Sequence, residues 1–280
     1  MGMAIQSLHY QFPNEYEIYV DIPQKEIFEN NPFIKNSPFE SGEVIEMNYP
    51  LIHRSGRIAY CFAESYVQYI GEKLNIPLRL QCNKCDIFLT GEEQKKYSNF
   101  KPYWVVVCSS KQDYTTKCLS QGILNKVVDK LIGKVRFIQP VKVDNSTDNY
   151  MLKNVKVISN LTIRDMFSLV YNSSGVICPV TCWHHIAGSF DKNCICIGGN
   201  REPLWWVQQY KHQHYLHTAG ANLECCNLPC WKSRIIKLGD NSDNDKSLCD
   251  NPIFYEDQWL PECLIKIKPE TIVDTIERLL

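Results

Sequence analysis

The sequence lacks the features that mark several large classes of protein. The chain has 30 Lys and Arg against 31 Asp and Glu, so it lacks the excess of basic residues that is typical of nucleic-acid-binding proteins. The first residues show no basic segment followed by an apolar core, and a secretory signal is not expected. The longest stretch without Asp, Glu, Lys or Arg, residues 166–190, carries a proline and two histidines, unlike a membrane span. Walker A and G-x-G-x-x-G motifs are absent, which argues against a P-loop or dinucleotide site.

Cysteine, by contrast, is abundant, with 14 in the chain. In a long chain without a visible signal, this number predicts reduced thiols or metal ligands in the cytoplasm rather than a disulfide framework. Scattered cysteines usually serve as small buried apolar residues. Five lie together near the carboxyl end, namely Cys225, Cys226, Cys230, Cys249 and Cys263.

Two further motifs are weak. The lone Cys82-x-x-Cys85 lacks the flanking residues of redox proteins, and we interpret it as incidental rather than as a metal or redox centre. The acidic stretch 239–246 lacks the central glycine and closing glutamate of a calcium loop, so we expect a solvated loop there.

Short apolar runs alternate with amphipathic stretches along the chain. The apolar runs predict strands at residues 17–21, 101–108, 135–138, 175–178 and 193–197. Helical spacing predicts helices at residues 4–9, 57–74, 122–131, 161–171, 184–190 and 269–280. Strands that alternate with helices predict an α/β fold with a mainly parallel sheet, in which ligands bind at the carboxyl ends of the strands.

A polar stretch at residues 90–101 predicts a boundary between two domains, which a chain of 280 residues can accommodate. We therefore expect one domain over residues 1–92 and a second over residues 93–280. The second would contain a cysteine-rich insert at about 222–263 and a closing helix.

Two places combine residues that suit phosphate binding. The segment from Cys178 to Gly188 follows a predicted strand and opens a predicted helix, whose first N–H groups and dipole favour an anion. Thr181 adds a hydroxyl there, and a histidine in the first turn adds a donor. Lys117 follows another predicted strand and a polar loop, where its ammonium would neutralise a diphosphate. A capped helix with a packed histidine, and a merely solvated lysine, are the plainer interpretations.

Three stretches resemble glycosyltransferase family 9, the heptosyltransferases: residues 180–187, 198–206 and 225–234. The resemblance is strongest to the branch with a cysteine-rich C-terminal insert, such as the autotransporter heptosyltransferases. It implies the GT-B architecture, two Rossmann-like domains facing a cleft, here without the first strand of the N-terminal domain. It also implies transfer of a sugar from a nucleoside diphosphate sugar, with ADP-heptose expected, to an acceptor hydroxyl on a protein or glycan.

The resemblance also implies site residues. Lys117 matches the lysine that approaches the diphosphate, and Thr181 and His185 match the threonine and histidine of the nucleotide-sugar loop. The other expected nucleotide-sugar contacts are Cys182, Trp183, Gly199, Arg201 and Glu202. An Arg–Glu pair that only fixes its loop is the alternative for the last two. No organic cofactor is expected, and a homo-oligomer is left open.

The sequence departs from the family pattern at three places. Val180 stands where an aspartate often precedes the threonine, and Cys182 replaces a glycine, so that its Cβ would crowd a phosphate. The sequence from Met1 resembles the helix that follows the family's first strand and Gly-Asp loop, so the catalytic base is left unassigned. The alternative function is therefore a catalytically inactive relative that binds a nucleotide sugar or a protein partner.

Four cysteines, Cys226, Cys230, Cys249 and Cys263, have the spacing C-x3-C-x18-C-x13-C, which is compatible with a four-thiolate site for zinc or iron. The resemblance also implies a metal site here, because autotransporter heptosyltransferases carry an iron-binding cysteine finger. Cys225 is a spare ligand. Four protein ligands leave no open position, so the expected metal is structural. Reduced or partly disulfide-bonded cysteines are the alternative.

Overall fold

The computed structural model describes residues 1–47, 59, 61–108, 111–142, 150–207, 209–218 and 229–280. A six-stranded sheet forms its frame, and every pair of neighbouring strands in it is parallel. The strands are Trp104–Val106 (β1), Phe137–Val141 (β2), Lys156–Ser159 (β3), Gly175–Pro179 (β4), Asn193–Gly199 (β5) and Gln213–His217 (β6). The expectation of an α/β fold with a mainly parallel sheet is confirmed.

Helices precede, connect and follow these strands. They are Gly2–Gln11 (α1), Phe62–Leu74 (α2), Gly91–Lys95 (α3), Gln121–Lys130 (α4), Ile163–Asn172 (α5), Cys182–Ser189 (α6), Leu204–Val207 (α7), Glu262–Ile265 (α8) and Pro269–Glu277 (α9). A separate antiparallel hairpin joins Pro252–Tyr255 (β7) to Gln258–Pro261 (β8). Among the described helices, none is both long and apolar enough to cross a membrane.

The sheet buries both of its faces. Alternate residues of β1 point to opposite sides: Trp104 and Val106 join the core formed with α4 and α9, whereas Val105 joins the core formed with α5 and α6. Strands that are apolar on both faces must be covered on both sides, which explains why β1, β4 and β5 are continuous apolar runs. The result is a doubly wound layer structure.

The strand order β3-β2-β1-β4-β5-β6 places a topological switch point between β1 and β4. The chain runs outward from β1 to β3, then returns to the other side of β1 and continues through β4 to β6. In open parallel sheets of this kind, ligands bind in the crevice outside the carboxyl ends of the strands at the switch point.

One expected strand is wrong. Residues 17–21 lie in extended coil, where the carbonyl of Ile18 accepts a hydrogen bond from the N–H of Lys35, and no strand among the described residues pairs with them. An apolar run needs a partner strand to become part of a sheet. Conversely, β3 and β6 were not expected. Both are edge strands with much polar or exposed surface, so their sequences lack the apolar pattern of the central strands.

Residues before β1 contribute helices. Ala4 and Leu8 of α1 pack against Val67 and Ile70 of α2 in a small core of their own. Within the described ranges, no strand precedes Trp104. The division into residues 1–92 and 93–280 stays a prediction.

Candidate functional site

Lys117 lies at the switch point, at the end of a 3₁₀ segment, Gln112–Lys117, that follows β1. Its Nζ donates to the carbonyl oxygen of Val180 at 3.0 Å and lies 3.0 Å from Oε1 of Glu202. Val180 directly follows β4, and Glu202 follows β5. The ends of three neighbouring strands therefore meet at one ammonium group. Burial lowers the pKa of Lys117, and the nearby Glu202 carboxylate opposes that shift.

Glu202 is almost completely buried, with 2% of its surface exposed. Its Oε1 contacts both Lys117 and the Nη1 of Arg201. Its backbone oxygen accepts a hydrogen bond of 2.9 Å from the hydroxyl of Tyr215. The Arg–Glu pair considered from the sequence is present, but its carboxylate is shared with Lys117. The pair is thus part of the same charge cluster as the expected diphosphate lysine.

Arg201 joins this cluster to a neighbouring segment of chain. Its Nε donates to the carbonyl oxygen of Lys232 at 2.6 Å, and its guanidinium lies 5.9 Å from the ring centroid of Trp231. The ring of Tyr114 lies 5.4 Å from both the Arg201 guanidinium and the Lys117 ammonium. Such distances permit cation–π attraction. Tyr114 was not expected at the site, although an aromatic residue three positions before the lysine is a signal in the sequence.

The amino terminus of α6 lies beside this cluster, because Val180 precedes its N-cap, Thr181. No side-chain cap bond is made by Thr181, whose hydroxyl donates to the carbonyl of Pro179 at 3.3 Å. Cys182 is exposed at the first position of the helix, and Trp183 is buried in the core under α6. Their expected contacts with a nucleotide sugar stay predictions.

Two histidines follow in α6. Their rings are tilted by 39° with centroids 3.8 Å apart, and Nδ1 of His185 shares a hydrogen bond of 2.8 Å with the hydroxyl of Tyr210. Burial lowers the pKa of His185 to about 4 and that of His184 well below its ordinary value. At neutral pH both rings are uncharged, so His185 is a neutral hydrogen-bonding group rather than a cation.

The loop after β5 and the short helix α7 hold three buried polar atoms that lack a hydrogen-bond partner within the described chain. They are Oδ1 of Asn200, Oε2 of Glu202 and Nε1 of Trp206. An unpaired buried polar atom costs about 1–3 kcal/mol, so natural proteins rarely keep one without a reason. All three belong to residues that follow the carboxyl end of β5.

Gly199 makes a sharp turn possible at the end of β5. It has a positive φ of 58°, and a Cβ on it would lie 2.7 Å from the Sγ of Cys263. The absent side chain therefore allows the turn and the approach of Cys263. Its contact with a nucleotide sugar stays a prediction.

The cysteines of the insert were expected to form a metal site. Cys230, Cys249 and Cys263 line one cavity of about 20 Å³, together with Thr116 and Arg201. Cys226 and its spare, Cys225, lie outside the described residues. Within the described ranges, no group of three or more His, Cys, Asp or Glu side chains has an arrangement that could hold a metal ion. The four-thiolate site stays a prediction.

Comparison with known proteins gives matches only at the level of structure. Neither models of protein families nor curated protein sequences match the chain. A glycosyl transferase family 9 protein from Veillonella parvula DSM 2008 superposes with a TM-score of 0.53 at 12% identity, over 80% of this chain and 61% of that protein. The E. coli ADP-heptose lps heptosyltransferase II gives 0.52 at 10% identity, over 79% of this chain and 62% of that one.

A third similar structure is the iron-containing dodecameric glycosyltransferase TibC from enterotoxigenic E. coli H10407. It gives a TM-score of 0.46 at 16% identity, over 78% of this chain and 52% of that one. A TM-score this low supports no inference about the present chain. The first two matches show the fold: an α/β chain with the parallel sheet of heptosyltransferases. This chain spans less than two thirds of the length of either protein.

Proposed function

We propose that the chain is a heptosyltransferase-like glycosyltransferase that moves a sugar from a nucleoside diphosphate sugar to an acceptor hydroxyl. The observation that carries the proposal is the convergence of Lys117, the Val180 carbonyl and Glu202 at the switch point of the sheet. Parallel sheets bind phosphorylated ligands at this position. The fold similarity to two proteins of this class supports the same function.

In this proposal, the diphosphate lies beside Lys117 and the amino terminus of α6. The ammonium, the guanidinium of Arg201 and the first N–H groups of the helix stabilise the charge that develops on the leaving diphosphate. The approach of an anion also favours the charged form of Lys117, whose pKa is lowered by burial. ADP-heptose is the proposed donor, because one of the two similar structures is an ADP-heptose lps heptosyltransferase.

We propose that Glu202 accepts a hydrogen bond from a hydroxyl group of the ligand. Its Oε2 is buried and has no partner within the described chain, while Oε1 is held by Lys117 and Arg201. A hydroxyl of the ribose or of the sugar would donate to Oε2 and complete the site. Thr181 and His185 contribute neutral hydrogen-bonding groups on the α6 side.

The acceptor, a protein or a glycan, would bind on the side of residues 1–92 in a GT-B arrangement. One contact already joins the two parts of the chain near the site: the ring of Phe62 at the start of α2 lies 3.8 Å from that of Trp206. Helices α1 and α2 would then form a wall of the cleft opposite Lys117.

We also propose a structural iron or zinc ion in the cysteine-rich insert. Cys230, Cys249 and Cys263 share one small cavity, and thiolates are the ligands that zinc and iron prefer. With Cys226 as the fourth ligand, the ion would link the insert to α8 and stabilise the fold without an open coordination position.

Binding and transfer assays test the proposed function separately. Calorimetric titration with ADP and with adenosine measures whether the diphosphate contributes to affinity. Release of ADP from ADP-heptose, with and without candidate acceptors, measures turnover. Binding of ADP without any turnover would instead favour the inactive relative that binds a nucleotide sugar. Equal affinity for ADP and adenosine would contradict the diphosphate site.

A further inference from the structure

Residues 230–235 form a short bridge between the two loops that carry the charge cluster, and we call this segment the bracket. On one side, the N–H of Trp231 donates to the carbonyl of Arg201 at 3.4 Å. On the other side, the N–H of Ile235 donates to the hydroxyl of Thr115 at 3.0 Å. The bracket therefore touches the loop after β5 and the loop after β1.

One atom of the bracket joins both loops at once. The carbonyl oxygen of Lys232 accepts from Nε of Arg201 at 2.6 Å and from Oγ1 of Thr116 at 2.7 Å. Thr116 directly precedes Lys117, and it makes further hydrogen bonds to the carbonyl of Ser233. The relative position of the Lys117 ammonium and the Arg201 guanidinium is thus set through this carbonyl.

Arg234 holds the bracket in place. Its side chain is fully buried, yet it donates to both carboxylate oxygens of Asp240 at 2.7 Å and also contacts Asp245. A third carboxylate, Asp113, accepts from its Nη2 at 3.0 Å. Asp113 belongs to the same 3₁₀ segment as Lys117. The guanidinium consequently ties the acidic loop of the insert to the loop that carries the diphosphate lysine.

We infer that Arg234, acting through Asp113 and the bracket, is a positioning residue that fixes the spacing of Lys117 and Arg201 for a diphosphate. The inference rests on the proposed function, because it assigns the purpose of that spacing. Arg234 itself does not touch the ligand. Three carboxylates around one buried guanidinium give it a fixed orientation, since a planar fork binds carboxylates in defined geometry.

The acidic stretch 239–246 gains a role from this arrangement. The expectation of a solvated loop holds for Asp243, whose side chain is 94% exposed and pairs with Lys246. It does not hold for Asp240 and Asp245, which bind Arg234. The Arg234 guanidinium also holds the pKa of Asp240 at about 2, so this contact stays charged at physiological pH.

Two variants test the inference against a matched control. Asp113→Asn keeps the shape of a half-exposed side chain but removes its charge. Arg234→Lys keeps the charge but removes the planar guanidinium that binds the carboxylates. Asp243→Asn changes an exposed aspartate of the same loop that does not contact Arg234. We expect both test variants to weaken ADP binding about tenfold, the scale of one charge-assisted hydrogen bond, and to leave adenosine binding unchanged. The control should match the parent for both ligands.

A second measurement needs no ligand. The ammonium of Lys117 is held by Val180 and Glu202, so an amine-acylating reagent followed by mass spectrometry should label it slowly in the parent. Asp113→Asn should raise the labelling rate of Lys117 about threefold or more, because local opening exposes it. Asp243→Asn should not.

The two measurements distinguish the inference from the proposed function. A parent chain that does not bind ADP contradicts the proposed function, whatever the labelling shows. Unchanged labelling of Lys117 in Asp113→Asn contradicts the bracket, even where the parent binds ADP. Equal losses for ADP and adenosine in both variants would show a general structural effect and overturn the positioning role. If Arg234→Lys does not fold, the Asp113→Asn variant alone decides these outcomes.

Discussion

Nζ of Lys117 lies 3.0 Å from Oε1 of Glu202 and 3.0 Å from the carbonyl oxygen of Val180. Within the described chain, the second carboxylate oxygen of Glu202 has no partner. In the proposed function, the Lys117 ammonium binds the negative charge of a nucleoside diphosphate sugar, and this second oxygen of Glu202 accepts a hydrogen bond from one of the ligand's hydroxyls.

Replacing Lys117 tests the cation. We expect Lys117→Ala to weaken ADP binding by about 1–3 kcal/mol, the scale of a charge-assisted hydrogen bond, and to leave adenosine binding unchanged. Calorimetry with both ligands measures this difference. Lys126→Ala is the control, because Lys126 pairs with Glu256 on the surface. An unchanged affinity for ADP would remove Lys117 from the site.

Removing the carboxylate of Glu202 should destabilise the fold. Glu202→Ala leaves Lys117 and Arg201 without their shared counter-ion, which for a buried pair costs about 3–5 kcal/mol in the free energy of unfolding. Denaturant unfolding measures it. Glu17→Ala removes an exposed pair with Lys35 and should cost less than about 1 kcal/mol.

The variant Glu202→Gln separates the ligand role from the loop-fixing role. Its amide keeps the shape of the side chain but replaces one acceptor oxygen by a donor group. We expect weaker binding of the nucleotide sugar together with a lower melting temperature. A lower melting temperature with unchanged binding would leave Glu202 with the loop-fixing role alone.

His185 should make stability depend on pH. Burial lowers its pKa to about 4, whereas an unfolded histidine titrates near about 6.5. Between these values the unfolded state binds a proton that the native state does not, so stability falls as the pH drops from about 6.5 to about 4. His185→Gln should reduce this slope in unfolding free energies measured at several pH values. A ring signal of His185 that titrates near neutral pH in the native protein would contradict the prediction.

Glu93 should also make stability depend on pH, in this case through a carboxylate that is charged in the native state. Arg164 on α5 donates to both of its carboxylate oxygens, at 2.7 Å and 2.6 Å, and holds the pKa of Glu93 at about 2. A lowered carboxylate pKa contributes stability above about pH 4.5, which is lost as the pH falls towards about 2. Glu93→Gln should flatten the acid limb of the stability profile. The exposed neighbour Glu92, changed to Gln, should leave that limb as it is in the parent.

The cysteine-rich insert should hold a metal ion. Elemental analysis of protein purified without chelator should find about one iron or zinc per chain, as for a four-ligand structural site. Cys249→Ser should lower this content and the melting temperature, because metal binding supplies folding energy. Cys82→Ser, outside the insert, is the control. Metal-free protein with an unchanged melting temperature would contradict the site.

Much of the fold follows from local pattern. The central strands β4 and β5 are continuous apolar runs, and such runs between amphipathic helices specify a parallel sheet covered on both faces. The edge strands β3 and β6 could not be predicted in the same way, because an edge strand is partly exposed to solvent and their polar residues interrupt the apolar pattern. The coil at residues 17–21 shows the reverse error, since an apolar run forms a strand only where a partner is available.

The sequence by itself determined that Lys117 follows one strand and that Thr181 and His185 follow another, which are the places that the proposed function requires. Tertiary structure decided that Lys117 shares a carboxylate with Arg201 and that the carbonyl of Lys232 links their two loops. These contacts join residues far apart in sequence through backbone atoms and a shared counter-ion. No local periodicity encodes such contacts, because they depend on the strand order that brings β1, β4 and β5 side by side.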